Sequence, residues 1–213
     1  SSLEWTKKNT KIYFNPTFNT STNTNSSIGD SESIDENGVL KNDTKSDIRS
    51  NGDTNTFGNL LSINQKLKNN SYVDFSSDIS VGQTTNNQRE ISTATFYDGS
   101  KTDRDRNVNS KNISKNNSYN FELKYTLPIT DSIKIAVGSS YNITDSETNN
   151  SSLNYNEATG EFDNINTDLS RLFTTTQNKL NPYAQFLLNK SKLSASVRLG
   201  TNVYNQDNFG NYK

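Results

Sequence analysis

The side chains available for chemistry are carboxylates, amines, guanidinium groups, hydroxyls and phenols, because the 213 residues contain no Cys, no His and no Met. That removes the thiol nucleophile, the imidazole base, the disulfide framework, and the zinc and haem ligand sets. Three clusters remain. The acidic run Asp30-Ser31-Glu32-Ser33-Ile34-Asp35-Glu36-Asn37-Gly38 has oxygen ligands beside a glycine, but it lacks the alternating Asp order and the closing bidentate Glu of a calcium loop. It reads as a solvated loop. Asp103-Arg104-Asp105-Arg106 could clamp a carboxylate or phosphate through its guanidinium groups, although alternating charges on an exposed hairpin more often only solubilise it. Phe96 and Tyr97 beside Gly99, with Tyr155 and Phe162 around Gly160, could stack on a sugar or meet a lid at an outer surface. Loop-to-loop packing would use the same side chains. No catalytic residue, metal ligand or cofactor is expected, and the chain does not read as an enzyme.

Charge and composition narrow the classes further. Twenty-two basic residues balance 23 acidic ones, so there is no electrostatic footprint for nucleic acid. Only 29% of residues are hydrophobic, while Asn, Ser and Thr number 35, 29 and 24. Such a chain cannot fill a thick interior, and on bulk composition alone it would be disordered. The placement of the apolar residues argues otherwise. They alternate strictly with polar ones in short runs, which is the pattern of strands with one apolar and one polar face. No run approaches the ~18–20 apolar residues of a membrane helix.

The elements that would carry these faces recur with one period. Turn-like glycines stand at Gly38, Gly99 and Gly160, each 61 residues after the last. Tighter turns fall between them at Lys8-Asn9, Lys68-Asn69-Asn70, residues 128–132 and Asn189-Lys190-Ser191. Two turn classes sharing one interval predict a meander of long antiparallel hairpins, with seven strands and a stub. In one strand Phe121, Leu123, Tyr125 and Leu127 share a side, against Asn120, Glu122, Lys124 and Thr126. In the next, Ile133, Ile135, Val137 and Tyr141 oppose Lys134, Ala136, Gly138 and Ser140. In the last, Leu193, Ala195, Val197, Leu199 and Val203 oppose Ser194, Ser196, Arg198 and Asn202.

One such strand would suit a soluble sandwich, whose antiparallel sheets commonly face water on one side. The series does not, because a sandwich connects its strands every 8–12 residues or so. Here short turns alternate with roughly thirty-residue polar connections. Short turns on one side and long hairpins on the other are the asymmetry of outer-membrane barrels. Lipid offers a backbone no hydrogen bonds, so a spanning sheet must close and turn its apolar side chains outward. The expected fold is therefore all-β: part of a transmembrane antiparallel up-and-down barrel, with short periplasmic turns and long extracellular hairpins. Phe121, Leu123, Tyr125, Leu127, Ile133, Ile135, Val137, Leu193, Val197 and Leu199 are expected to face lipid. Asn120, Glu122, Lys124, Lys134, Ser194 and Arg198 are expected to face the lumen, where charges could contact a solute or pair across strands. Trp5, Tyr72 and Tyr125, each near a short turn, would form an interfacial aromatic girdle.

Residues 118–201 also resemble a known family. Tyr125-Thr126-Leu127-Pro128, then Lys134-Ile135-Ala136-Val137-Gly138-Ser139-Ser140-Tyr141, then Asn181-Pro182-Tyr183-Ala184-Gln185-Phe186 and Leu193-Ser194-Ala195-Ser196-Val197-Arg198-Leu199-Gly200 resemble the barrel region of the Bacteroidota outer-membrane β-barrel family related to TonB-dependent receptors. Upstream the resemblance is one of rhythm only. It implies a bacterial outer-membrane location, nutrient uptake, a bilayer around the sheet, and as partners a TonB energy-coupling protein and a surface lipoprotein. Neither the plug nor the coupling segment of that family is legible here. Residues 1–213 therefore read as part of one barrel domain, with the plug and remaining strands absent and the strands to come from the rest of the same polypeptide or from a partner chain. Two other readings use the same pattern: a barrel scaffold subunit of an outer-membrane complex, without transport, and a secreted β-rich adhesin. The first residues look like the end of a strand and the last, 209–213, like a loop.

Overall fold

The computed structural model describes residues 2–97, 99 and 103–212. They form one antiparallel sheet of ten strand segments and no helix: β1 (Leu3–Lys7), β2 (Thr10–Ile34), β3 (Leu40–Lys66), β4 (Tyr72–Phe96), β5 (Arg104–Pro128), β6 (Ile133–Asn156), β7 (Glu161–Ile165), β8 (Arg171–Lys190), β9 (Leu193–Gly200) and β10 (Val203–Tyr212). Each long strand pairs with the next in sequence, giving the expected meander. β7 pairs antiparallel with the end of β6 and leads through residues 166–170 into β8, which pairs with the rest of β6. β9 and β10 lie on the same side of β8 in a single register, since Gly200 opposes Tyr183 and Val203 opposes Leu180. The gap between them faces Pro182, which has no N–H to donate. The ten segments thus make seven long strands and a stub.

The turns stand where the spacing places them. Gly38, Gly99 and Gly160 have φ of 80°, 66° and 75°, and the short turns put Lys8, Asn70 and Ser191 at φ of 49°, 59° and 50°. At the tip between β2 and β3, Asp35 closes the turn: its Oδ1 accepts the N–H groups of Asn37 and Val39, both at 2.9 Å. The Val39 N–H, foremost, holds the Asp35 carboxyl below its ordinary value. A depressed folded value makes the contribution of this cap fully present above the unfolded pKa of about 3.9 and lost as pH falls through the lower folded value. Amide exchange at Asn37 and Val39, corrected for its intrinsic pH dependence, should therefore quicken only below about pH 4. Asp35→Ala should quicken it at every pH; unchanged exchange in that variant would remove the cap from the account.

Two expectations are corrected. The polar connections are not thirty-residue loops: β2 to β6 run 24–27 residues each, straight through those segments. Residues 209–212 belong to β10, not to a loop, and Lys213 lies outside the described residues. Polar side chains sustain these strands because register sets them in complementary pairs. Thr22 donates to Asp53 (2.8 Å), Thr54 meets Thr84 (3.0 Å), Ser146 donates to Asn116 (3.0 Å), Ser110 meets Ser152 (2.7 Å) and Thr175 donates to Asn208 (2.9 Å). Every one of these pairs is directly opposed across its ladder.

The sheet does not close. β1 covers β2 only from Thr10 to Phe14, leaving the rest of that edge of β2 without a neighbour among the described residues, and β9 and β10 form the other edge. Both edges present unpaired backbone groups.

Candidate functional site

Register places nearly all the large apolar side chains near the short turns on one face. Ile12, Phe14 and Phe18 of β2 oppose Ile63, Leu61 and Phe57 of β3. Phe75 of β4 stands between Ile63 and Leu123, and Tyr125 and Leu127 of β5 oppose Val137 and Ile135 of β6. Ile135 then meets Phe186, and Phe186 meets Val197. The ten residues read as lipid-facing all share this face. They are not packed inside: Leu123 is 55% exposed, Ile135 41%, Val137 48% and Leu199 74%. Trp5 joins Tyr125 on this face, but Tyr72 does not. It opposes Thr126 and so lies on the polar face, which removes it from an outward girdle.

The band crosses the hydrogen-bonded rows obliquely. One row runs Lys7, Thr10, Gln65, Val73, Tyr125, Val137, Ala184, Leu199. It meets β2 at its first residue, β4 at its second, β6 at its fifth and β9 at its seventh. The short turns are therefore staggered by six residues over six strand steps. One residue of about 3.3 Å per strand spacing of about 4.8 Å means a tilt of about 35° between the strands and the normal to the band. Along β5 the band spans residues 119–127 and along β6 residues 133–143. At that tilt its height is about 22–27 Å. Above it the sheet is mostly polar, with isolated exposed apolar side chains such as Ile28, Ile91 and Phe209, and it continues, along β4 from Val81 to Phe96, for about 40 Å.

The opposite face carries a network at the level of the band. Asp74 of β4 accepts from the Asn64 side chain of β3 and pairs with Lys124 of β5, whose Nζ lies 3.1 Å away. The Tyr183 hydroxyl of β8 reaches across β6 and donates to Glu122 Oε1 at 2.7 Å. Its ring passes over Gly138, where an added Cβ would lie 2.7 Å from both Cζ and the hydroxyl oxygen. Arg198 of β9 stacks on that ring, with its Cζ 3.5 Å from the centroid. Of the residues read as lumen-facing, Glu122, Lys124 and Arg198 are brought together here. Asn120 lies on the same face and donates to Ser118 (3.3 Å), while Lys134 and Ser194 share the face outside the network. Tyr183, Asp74 and Gly138 complete a site that was not named from the sequence. The one available signal was that Tyr183 has the opposite parity to Leu180, Phe186 and Leu188. Chemically the network pairs Asp74 with Lys124, Glu122 with the Tyr183 hydroxyl, and Arg198 with the Tyr183 ring.

At the far end of the sheet a groove of about 1110 Å³ is lined by Glu90, Phe96, Arg104, Arg106, Asn154, Tyr155 and Asn166, among others. Arg106 pairs with Glu90 at 3.2 Å and the Asn166 amide donates to Asn154 at 2.9 Å. Of the four aromatics read as surface contacts, Phe96 and Tyr155 share this groove. Phe162 packs edge-on against Tyr155, with centroids 5.3 Å apart, and the Tyr97 hydroxyl donates to Asp43 at 3.3 Å. Comparison with protein-family models, with curated proteins and with solved structures finds no match for this chain.

Proposed function

We propose that this chain is a segment of a bacterial outer-membrane barrel of the TonB-dependent-receptor type, which takes up a nutrient across that membrane. One observation carries the reading: an exposed apolar band on a single face, about 22–27 Å tall, crossed by strands tilted about 35°. Spanning strands of known barrels tilt by about 35–45° and carry an outward apolar band about 25 Å tall. A soluble sheet would cover such a band, since large exposed apolar patches do not persist on monomers. The polar network then lines a hydrated interior. Further strands of the same polypeptide pair with the open edges, because an unpaired edge is not tolerated in hydrocarbon. The polar sheet above the band stands outside the cell. Its tip groove combines aromatic faces with amides, guanidinium groups and a carboxylate, the chemistry that holds a polyol. A surface lipoprotein would cover that mouth, and a TonB energy-coupling protein would act from the short-turn side.

Polarised infrared spectroscopy of the full-length protein in oriented bilayers tests the fold. An amide I dichroism giving strands tilted about 35–45° is expected; a protein that stays monomeric and folded in plain buffer would overturn the membrane reading. Uptake by cells carrying the full-length protein tests the transport function. Replacing Phe96 and Tyr155 together with alanine should lower uptake about tenfold at unchanged protein level, as expected from the loss of about 1.4 kcal/mol of binding. Undiminished uptake would deny the groove its role, and absence of any uptake by the unmodified protein would favour a scaffold.

A further inference from the structure

The outer face above the band holds a like-charge pair. Arg49 of β3 and Arg89 of β4 are directly opposed, and Asn109 of β5 follows Arg89 in the same row. Directly opposed like charges weaken a sheet, so their juxtaposition calls for an anion. One row nearer the band Asn87 opposes Lys111, adding a third positive charge. Carboxylates offset this only in part. Arg49 donates to Asp47 through both Nε (3.4 Å) and Nη2 (3.1 Å), Asp47 lines a groove that it shares with both arginines, and Asp53 is engaged by the Thr22 hydroxyl at 2.8 Å. Neither Arg89 nor Lys111 has a carboxylate within ion-pair distance among the described residues. Arg89 is also held in place: its guanidinium lies 5.5 Å from the centroid of the Phe162 ring, carried across by the β6–β7 hairpin. A stacked guanidinium keeps its donor fork free for a tetrahedral oxyanion. An open groove of about 300 Å³ has Arg49, Arg89, Asn51, Asn87 and Asn109 among its lining residues.

We propose that Arg49, Arg89 and Lys111 form a binding site for a phosphate group carried on a saccharide head. The saccharide follows from height, and for that step the inference rests on the membrane reading above. Arg89 stands eight residues beyond Val81, the last apolar residue of the band on β4, which is about 22 Å above it at a tilt of about 35°. Phospholipid head groups extend only about 5–8 Å beyond the hydrocarbon. A phosphate at the level of Arg89 must therefore be lifted there by sugars, as in a phosphorylated glycolipid of the outer leaflet.

The test uses the full-length protein in detergent, with four probes read by calorimetry: a phosphorylated lipooligosaccharide, its delipidated phosphorylated head, the same head after phosphatase treatment, and inorganic phosphate. The intact lipid and the phosphorylated head should bind alike, and the dephosphorylated head and inorganic phosphate at least tenfold more weakly. The double variant Arg49→Ala/Arg89→Ala should lose at least tenfold towards the phosphorylated head. Arg49→Lys/Arg89→Lys, which keeps the charge and the fold but lacks the fork, should fall between. Equal binding by the alanine variant and the unmodified protein would overturn the site. Inorganic phosphate binding as tightly as the head would overturn the saccharide and leave a free-anion site. Because the delipidated head needs no bilayer, the two readings fail separately: binding by a protein that does not insert sinks the membrane reading alone, and insertion without binding sinks this site alone.

Discussion

Leu123→Arg should strongly destabilise the protein in lipid vesicles. Leu123 lies at the middle of the band on β5, with Tyr119 and Leu127 marking its two ends on the same face. An arginine on the lipid side of a barrel costs about 2–4 kcal/mol at the midplane and about 0–1 near the interface. The folding equilibrium in vesicles should therefore fall by about 30- to 700-fold. Asn55→Arg is the matching control. Asn55 lies on the same face of β3, two residues above Phe57 and opposite Gln83, where the sheet has left the hydrocarbon in this reading, and it should change stability by less than about 1 kcal/mol. A water-facing sheet predicts a different pair of results. Leu123 is already 55% exposed, so arginine there would be an ordinary surface substitution within about 0.5 kcal/mol. Denaturant titrations of both variants in vesicles, with tryptophan emission from Trp5 as the signal, separate the cases. Equal midpoints for Leu123→Arg and Asn55→Arg would remove lipid from the account.

The sequence shows the parts of this fold that are set locally. Gly38, Gly99 and Gly160 are legible because a left-handed turn needs glycine or a close substitute, and strict alternation is legible because strand side chains have a period of two. The sorting of Leu123 and Glu122 onto opposite faces follows from that period alone. The polar strands were missed for a physical reason. A segment such as Thr20 to Asp30 has no apolar face, and what holds it extended is its partner, through pairs such as Thr22 with Asp53. Such complementarity appears only once register is known. Tyr72 was placed outward because it is an aromatic near a turn; its parity with Asp74 puts it on the polar face. The oblique band was equally hidden. Its tilt depends on how Thr10 lines up with Val73, Val137 and Leu199 across some 190 residues, and no single strand carries that information. The Arg49–Arg89 pair is invisible for the same reason, since forty residues separate its members.

The inner network is where register matters most, and Gly138→Ala should show it. An alanine Cβ would sit 2.7 Å from Tyr183 Cζ and hydroxyl oxygen and 2.8 Å from the Leu123 carbonyl oxygen. The ring can lift; the carbonyl belongs to the β5 ladder and cannot. Overpacking of this kind costs about 1–3 kcal/mol, and lifting the ring also breaks the 2.7 Å hydrogen bond to Glu122, worth about 1.5–3 kcal/mol to a charged acceptor. Tyr183→Phe removes that hydrogen bond without the clash. If one ring position serves both contacts, the double variant Gly138→Ala/Tyr183→Phe must fall short of the summed single effects by about the value of the hydrogen bond, because it can be lost only once. Gly138→Ala/Tyr183→Ala isolates what remains, the clash with the Leu123 carbonyl, and should stay less stable than Tyr183→Ala alone. Denaturant midpoints in detergent give all five values. Additivity within about 0.5 kcal/mol would mean that Tyr183 does not lie over Gly138. The contact joining β5, β6 and β8 on the polar face would then have to be sought elsewhere.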